Sequence, residues 1–218
     1  MADLFDTPSA TTQTGPRPLA DRLRPTALAD VIGQDHLLGA DGPLGTMLAA
    51  RQLGSVILWG PPGTGKTTIA RLLADETDLT FVQISAIFSG VGELKKVFEA
   101  ARLRHSGGQG TLLFVDEIHR FNKAQQDGFL PYMEDGTILL VGATTENPSF
   151  ELNRALLSRA QVMVLERLDL AALERIAQRA EAEVGPLPLN GPARETLLEL
   201  ADGDGRALLN LIEQVAAW

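Results

Sequence analysis

The sequence predicts an α/β fold in which a parallel five-stranded sheet lies between helices and is followed by a small α-helical domain. Five short apolar segments alternate with helical patterns, which is typical of a parallel sheet covered on both faces. A glycine-rich segment joins the first of these strands to the next helix. After residue 165 the strand patterns stop and only helical patterns remain.

Each predicted strand is short, apolar and flanked by turn or capping residues. The predicted strands are residues 55–59, 80–85, 111–115, 137–143 and 161–165. Ligands of such sheets bind at the carboxyl ends of the strands. Polar residues that directly follow a strand are therefore the first candidates for function.

Three helices are predicted beyond the sheet. Asp169 is a suitable N-cap for a helix that runs to Glu183, where a Gly-Pro-Leu-Pro segment ends it. Asn190 precedes a second helix, and a Gly-Asp-Gly segment at 203–205 separates that helix from a third. The predicted organisation is a flexible leader (1–17), an α/β core (18–166) and a helical lid domain (167–218).

Composition limits the class of protein. Of the 218 residues, 44% are hydrophobic and 22% are charged, as in a globular protein, and no apolar run is long enough to span a bilayer. We therefore expect no membrane partner. The chain has no cysteine, which excludes disulfides and thiolate chemistry. No signal-peptide pattern opens the chain, so we expect a cytoplasmic location.

The net charge of −9 argues against a protein that coats nucleic acid through bulk positive charge. Any contact with DNA must then come from local basic clusters, each of which has a solvated helix face or loop as its alternative interpretation. The candidate clusters are Arg17, Arg22 and Arg24; Lys95, Lys96, Arg102, Arg104 and His105; and His119, Arg120 and Lys123.

The segment Gly-Pro-Pro-Gly-Thr-Gly-Lys-Thr at 60–67 fills every required position of the phosphate-binding pattern G-x-x-x-x-G-K-[ST]. It predicts binding of a nucleoside triphosphate, because the glycines let backbone N–H groups surround the phosphates. Lys66 would neutralise phosphate charge, and Thr67 would hold Mg²⁺. The predicted nucleotide contacts of this segment are Gly60, Pro61, Pro62, Gly63, Thr64, Gly65, Lys66, Thr67 and Thr68.

Two carboxylates follow the predicted strand 111–115. Asp116 is expected to bind Mg²⁺, directly or through water, and Glu117 is the expected general base that orients the attacking water. An apolar strand followed by Asp-Glu is common by chance. Its pairing with the Lys66 loop makes it a specific signal.

Three further polar residues are candidates for sensing or stabilising the phosphates. Thr145, with Asn147 as second choice, follows another apolar strand, although such residues also cap turns. Arg159 suits an arginine finger supplied to a neighbouring subunit, or an ordinary charge at a helix end. Arg206 lies in the first turn of the last predicted helix, where a cation needs an anion nearby.

The order of these features resembles the clamp-loader branch of AAA+ ATPases. Four longer runs narrow the resemblance to the replication-associated recombination protein A family. These runs are residues 18–25, 32–39, 119–127 and 142–153. The resemblance extends from about Pro18 to the end of the chain.

This resemblance implies a DNA-stimulated, Mg²⁺-dependent ATPase that acts at stalled replication forks and single-strand/double-strand junctions, beside single-strand-binding protein. It implies that Thr145 is sensor 1, Arg159 the finger and Arg206 sensor 2, with Val31 and Ile32 near the adenine. One departure is Gly205-Arg206-Ala207, where relatives often carry a second arginine. Family members also continue into a C-terminal oligomerisation region, so we expect a homo-oligomeric longer protein and a monomeric fragment ending at Trp218.

Other functions remain open at this stage. A nucleotide-switched DNA-docking protein with slow hydrolysis would use the same loop, but it needs neither Glu117 nor Arg159. A clamp-loader subunit or a branch-migration motor is the alternative within the enzyme class. Leu4 and Phe5 resemble the Leu-Phe pair of peptides that dock into the bacterial sliding clamp, and a chance pair in a disordered leader is their alternative interpretation.

Overall fold

The computed structural model describes residues 17–217. The predictions for Leu4, Phe5 and the leader up to residue 16 lie outside the described residues. Within the described part, the helices that flank the sheet or precede it are α1 (Leu19–Arg22), α2 (Asp35–Leu38), α3 (Pro43–Ala49), α4 (Lys66–Glu76), α5 (Val91–Ser106), α6 (Lys123–Asp127), α7 (Leu130–Glu134), α8 (Pro148–Glu151) and α9 (Arg154–Leu157), and the C-terminal helices are α10 (Leu170–Val184), α11 (Gly191–Ala201) and α12 (Gly205–Ala216).

The central sheet has five parallel strands, which confirms the predicted fold class. They are β1 (Val56–Trp59), β2 (Thr80–Ser85), β3 (Thr111–Asp116), β4 (Leu139–Thr144) and β5 (Gln161–Val164). Their order across the sheet is β2-β3-β4-β1-β5. Every neighbouring pair is parallel, so all five carboxyl ends lie at one edge.

The predicted start of β4 at Thr137 was wrong by two residues. The backbone N–H of Thr137 donates to the Asp135 carboxylate at 2.9 Å, and the N–H of Ile138 donates to the carbonyl of Tyr132 at 2.9 Å. Because the turn after α7 uses these donors, the strand begins only at Leu139. At its other end β4 extends to Thr144, which pairs with Trp59 of β1.

Apolar side chains cover both faces of the sheet. On one face Leu58 and Phe114 pack with α3 and α4, and on the other Leu113 and Val115 pack with α5 and the segment around Phe129. Adjacent residues of one strand point to opposite faces, so a strand between two cores must be apolar throughout. This accounts for the uninterrupted apolar run from Leu112 to Val115 within β3.

The three C-terminal helices form a third apolar cluster together with α1 and Ile32. The sequence predicted the cap at Asp169, and the structure has further caps at Asn190 and Asp204. These three side chains accept hydrogen bonds from the backbone N–H groups of Ala172, Ala193 and Ala207, respectively. These bonds satisfy donors that an uncapped helix leaves free. Within residues 17–217 no helix has the length and apolarity that crossing a membrane requires.

Candidate nucleotide-binding site

One cleft at the carboxyl edge of the sheet brings most of the predicted site residues together. Its volume of about 280 Å³ is close to the lower end of ligand pockets, about 300 to 1,000 Å³. The predicted residues that line it are Val31, Ile32, Pro62, Gly63, Thr64, Gly65, Lys66, Thr67, Thr68, Asp116, Glu117, Thr145 and Arg206. Gly60, Pro61, Asn147 and Arg159 are not among the lining residues.

The glycine loop has a backbone that other residues adopt at a cost. Gly63 and Gly65 both have positive φ angles, of 68° and 99°, a region that L-residues other than glycine rarely occupy. Gly65 is the N-cap of α4, so the free N–H groups of this helix point toward the loop. The hydroxyl of Thr64 donates to the carbonyl of Pro61 at 2.9 Å and closes the loop on itself.

Lys66 is buried beneath this loop. Its ammonium donates to the carbonyls of Gly60 and Pro61, each at 2.7 Å, which is the role that the structure gives these two residues. Burial lowers the pKa of Lys66, while the carboxylates of Glu117, Asp116 and Asp204 oppose that shift. A cation held in a partly desolvated place gains most from a new anionic partner, and a phosphate is such a partner.

The two candidate carboxylates lie at the end of β3. Asp116 is the last strand residue, and Glu117 follows it with a left-handed backbone, φ 53°. One oxygen of Glu117 lies 3.5 Å from Nε2 of His119, whose Nδ1 lies 2.9 Å from the hydroxyl of Thr144. Thr145, the next residue along, lines the cleft.

The last helix docks onto the phosphate loop. The N–H of Gly205 donates to the carbonyl of Gly63 at 3.2 Å. A Cβ on Gly63 would overlap the carboxylate of Asp204, which caps α12. Arg206 follows in the first turn of α12, so this contact is what brings an exposed arginine of the C-terminal region to the cleft.

The apolar end of the cleft includes residues that the sequence did not single out. Beside Val31 and Ile32 it is lined by Leu168, Ile176 and Leu209. Ile176 and Leu209 lie on the apolar sides of α10 and α12, and Leu168 lies just before α10. All three are apolar like the core residues around them, so no sequence signal separates them. Arg24 also lines the cleft while its guanidinium donates to Asp21 at 2.6 Å, and only its place in the 18–25 run could have suggested it.

Asn147 and Arg159 have other contacts. The Asn147 side chain accepts from the N–H of Ser149 at 3.0 Å, as the cap of α8, which is its alternative interpretation. Arg159 follows α9, donates to Glu134 at 2.7 Å and to the carbonyl of Ala155 at 2.9 Å. Arg159 therefore lies outside the cleft of its own chain. The sequence predicted that it completes the cleft of a neighbouring subunit.

The predicted basic clusters are less uniform than the sequence indicates. The grouping of His119 with Arg120 and Lys123 in one basic surface cluster was wrong. The side chain of His119 is only 7% exposed and contacts Glu117. Arg22 and Arg24 form ion pairs with Glu183 and Asp21, which reduces the free charge of the first cluster. In the second, Arg102 lies 5.0 Å from the ring centre of Tyr132, and Lys95 and Lys96 are exposed.

The sheet order, the loop and the paired carboxylates define a P-loop ATPase. Residues 56–168 match the family described as "ATPase family associated with various cellular activities (AAA)", and the chain belongs to this family. The predicted class, an AAA-type ATPase, is confirmed.

Curated relatives confirm the resemblance to replication-associated recombination protein A. The protein of that name from Escherichia coli strain K12 is 49% identical over 206 residues, which are 92% of this chain and 46% of that protein. "ATPase WRNIP1" from Dictyostelium discoideum is 46% identical over 90% of this chain and 23% of that protein. The chain thus spans about half or less of the length of these relatives.

Among solved structures, the Thermotoga maritima RuvB Holliday junction branch migration motor is similar. It aligns with a TM-score of 0.74 and 29% identity, over 88% of this chain and 64% of that one. The likeness covers most of this chain, and it supports the fold class that the sequence predicted.

The residues of the cleft suit a magnesium nucleotide. Mg²⁺ is bound in proteins through one or two side-chain oxygens together with substrate phosphates. Thr67 and Asp116 supply two oxygen donors in the cleft, and no group of three or more His, Asp or Glu residues in the described part suggests a metal site of another kind.

Proposed function

We propose that the chain binds ATP in this cleft and hydrolyses it as an AAA+ ATPase of replication-fork maintenance and of recombination and repair at stalled forks. The observation that carries the proposal is that Lys66, Thr67, Asp116 and Glu117 line one cleft at the carboxyl edge of the sheet. These are the residue types that phosphoryl transfer needs for charge neutralisation, metal binding and activation of water.

In this proposal the phosphates rest on the N–H groups of the loop and of the start of α4. The buried ammonium of Lys66 exchanges part of its contact with the loop carbonyls for phosphate oxygens. Thr67 and Asp116 hold Mg²⁺, which when bound neutralises charge on the phosphate oxygens. The adenine packs against the apolar end of the cleft, beside Val31 and Ile32.

Glu117 accepts a proton from the attacking water and orients it toward the γ-phosphate. Thr145 contacts the γ-phosphate as sensor 1. Arg206 adds positive charge from α12, and Arg159 of a neighbouring subunit adds a second arginine to the same phosphate. The site of one subunit is then complete only in a homo-oligomer.

We further propose that DNA at forks or single-strand/double-strand junctions stimulates this ATPase, in a cytoplasmic, nucleoid-associated protein. Its partners are single-strand-binding protein and, through Leu4 and Phe5, the sliding clamp. The roles of DNA and of single-strand-binding protein rest on the resemblance to replication-associated recombination protein A. The clamp contact rests on the likeness of Leu4 and Phe5 to the Leu-Phe pair of clamp-docking peptides. The net charge of −9 requires the DNA contact to be local.

Two substitutions test the site itself. Lys66→Ala should abolish ATP binding, because it removes the cation that meets the phosphates. Glu117→Gln should bind ATP and fail to hydrolyse it, because it removes only the base. Titration with a fluorescent ATP analogue separates the two results, and turnover of Glu117→Gln equal to that of the parent would contradict the assignment of the base.

The DNA contact has its own test. Charge reversal at Lys95 and Lys96, or at Arg120 and Lys123, should weaken DNA binding and flatten its modest salt dependence, because each lost phosphate contact reduces the slope. ATP affinity should not change. If forked DNA still stimulates the ATPase after both reversals, these clusters do not form the DNA contact.

A branch-migration motor remains the second candidate, favoured by the RuvB likeness at a TM-score of 0.74. The two functions differ in the product. A motor of that kind moves a four-way junction in proportion to ATP hydrolysed, whereas a fork-maintenance ATPase is stimulated by forks without moving such a junction. Measuring strand movement and ATP hydrolysis in parallel on labelled junctions and labelled forks distinguishes the two functions.

A further inference from the structure

Three side chains form a chain of contacts from the end of β4 to the proposed base. The hydroxyl of Thr144, a fully buried residue, lies 2.9 Å from Nδ1 of His119. Nε2 of the same imidazole lies 3.5 Å from an oxygen of Glu117. His119 is 25 residues from Thr144 in sequence, so the contact exists only because β3 and β4 are neighbours in the sheet.

The single proton of the Thr144 hydroxyl sets the direction of these contacts. That oxygen already accepts from the N–H of Glu146 at 3.0 Å, and it can donate either to Nδ1 of His119 at 2.9 Å or to the carbonyl of Glu146 at 3.2 Å. If it donated to Glu146, a neutral imidazole would carry its proton on Nδ1 and present a bare lone pair to the Glu117 carboxylate. Two acceptors would then face each other, which is unfavourable.

We propose that His119 is a positioning residue for Glu117: it donates Nε2–H to the carboxylate and is itself held by the Thr144 hydroxyl at Nδ1. The proposal rests on the proposed function, since it assigns a partner to the base of that reaction. A distance of 3.5 Å is long for a hydrogen bond. At this distance the contact restrains Glu117 weakly, and the positioning role requires a shorter contact during hydrolysis.

The position of Thr144 gives this contact a function. Thr144 directly precedes Thr145, the proposed sensor of the γ-phosphate, and its hydroxyl also bonds the backbone of Glu146 on the far side of that residue. A movement of this turn when Thr145 meets a phosphate would shift Thr144, and through His119 it would shift Glu117. The base is then aligned only when a triphosphate is present.

Kinetics of matched variants of this chain provide the first test. His119→Asn keeps an amide near Thr144 but is too short to reach Glu117, whereas His119→Gln retains an N–H near the position of Nε2. We expect His119→Asn to lower kcat about tenfold, in line with losing one hydrogen bond to a charged group, with ATP affinity unchanged. His119→Gln should recover a substantial part of the loss.

The same series needs a control for the loss of a buried hydroxyl. Thr144→Val removes the hydroxyl that holds Nδ1 and should lower kcat. Thr111→Val removes a buried hydroxyl that has no hydrogen-bond partner in the described part of the chain, and it should leave kcat unchanged. In a Glu117→Gln background, His119→Asn should lower the residual single-turnover rate no further, because the group that it positions is absent.

A spectroscopic test does not depend on turnover. The chain has three histidines, so the imidazole nitrogens can be resolved by ¹⁵N NMR and assigned with His119→Gln. We expect a proton on Nε2 of His119, a shift of the Nδ1 resonance in Thr144→Val, and a shift of the Nε2 resonance in Glu117→Gln. Thr111→Val should move neither resonance.

The outcomes separate this inference from the proposed function. A proton on Nδ1 alone, or resonances insensitive to both Thr144→Val and Glu117→Gln, would overturn the role of His119 and leave the ATPase untouched. Full hydrolysis by Glu117→Gln would instead overturn the proposed base, whatever the spectrum of His119. A loss of ATP affinity in His119→Asn that matched its loss of kcat would show a general disturbance of the cleft and would also overturn the positioning role.

Discussion

At the scale of single residues, Gly63 is required by two parts of the molecule at once. Its φ of 68° suits the loop that surrounds a phosphate. Its missing Cβ also leaves room for the Asp204 carboxylate, which caps α12 above the loop. The sequence pattern requires glycine only at positions 60 and 65 and leaves position 63 open, so it does not predict the first requirement. It does not predict the second either, because the partner belongs to a distant helix.

Gly63→Ala should therefore cost more than backbone strain alone. Gly108 has a similar φ of 81° and open space where a Cβ would lie, so Gly108→Ala measures the strain by itself, about 1 kcal/mol. We expect Gly63→Ala to lose more stability than this and to bind ATP weakly, because α12 must move away from the loop. Thermal unfolding and nucleotide titration of both variants check the result. Equal losses of stability with intact ATP binding would contradict it.

At the scale of elements, local patterns predicted what is set locally. Asp169 caps α10 as predicted, since a cap needs only the next three residues. The start of β4 was misplaced, because Thr137 has a strand-forming side chain while its N–H is taken by Asp135. The contact between His119 and Thr144 was also missed, since it depends on the order of the strands across the sheet.

An arginine on α11 joins the C-terminal helices. Arg194 donates to Glu174 and Glu181, both on α10, with its closest contact to each at 2.9 and 2.8 Å. These hydrogen bonds are the main reason why the pKa of both carboxyls lies below the usual 4.5. The folded state therefore binds fewer protons than the unfolded state at acid pH. The stability from this cluster is complete above about pH 4.5 and is lost as the pH falls through the lowered pKa values.

Arg194→Gln tests that cluster. At neutral pH we expect it to lower the free energy of unfolding by about 1 to 2 kcal/mol, since charged hydrogen bonds are lost from a partly exposed site. The difference from the parent should narrow as the pH falls below 4.5, where the carboxyls become protonated. Arg167→Gln, at a fully exposed pair with Asp202, is the control and should change little. A difference that stayed constant from pH 7 to pH 3 would rule out this linkage.

At the scale of the whole molecule, the C-terminal helices complete the cleft that the sheet begins. The loop and carboxylates come from the α/β part, whereas Leu168, Ile176, Arg206 and Leu209 come from α10, α12 and the segment that leads to them. If the C-terminal helices moved away from the α/β part, Arg206 and the apolar wall would both lose their contact with a bound nucleotide. The sequence predicted Arg206 as a site residue, and Arg206 lines the cleft, but the apolar wall shared by the two parts could be recognised only from the packed structure.

Arg159 provides a test of assembly, because it lies outside its own cleft and is paired with Glu134. If it acts in a neighbouring subunit, Arg159→Ala should leave a monomeric sample unchanged. In samples that sedimentation shows to be assembled, it should reduce turnover by up to ~10³ or more, as arginine fingers do. The control Arg167→Ala removes another exposed, ion-paired arginine and should have no effect in either sample. Mixing assembled Lys66→Ala with Arg159→Ala should restore activity, because the first supplies the finger and the second an intact site. Equal loss in a demonstrated monomer, or no rescue in mixed assemblies, would exclude a finger in trans.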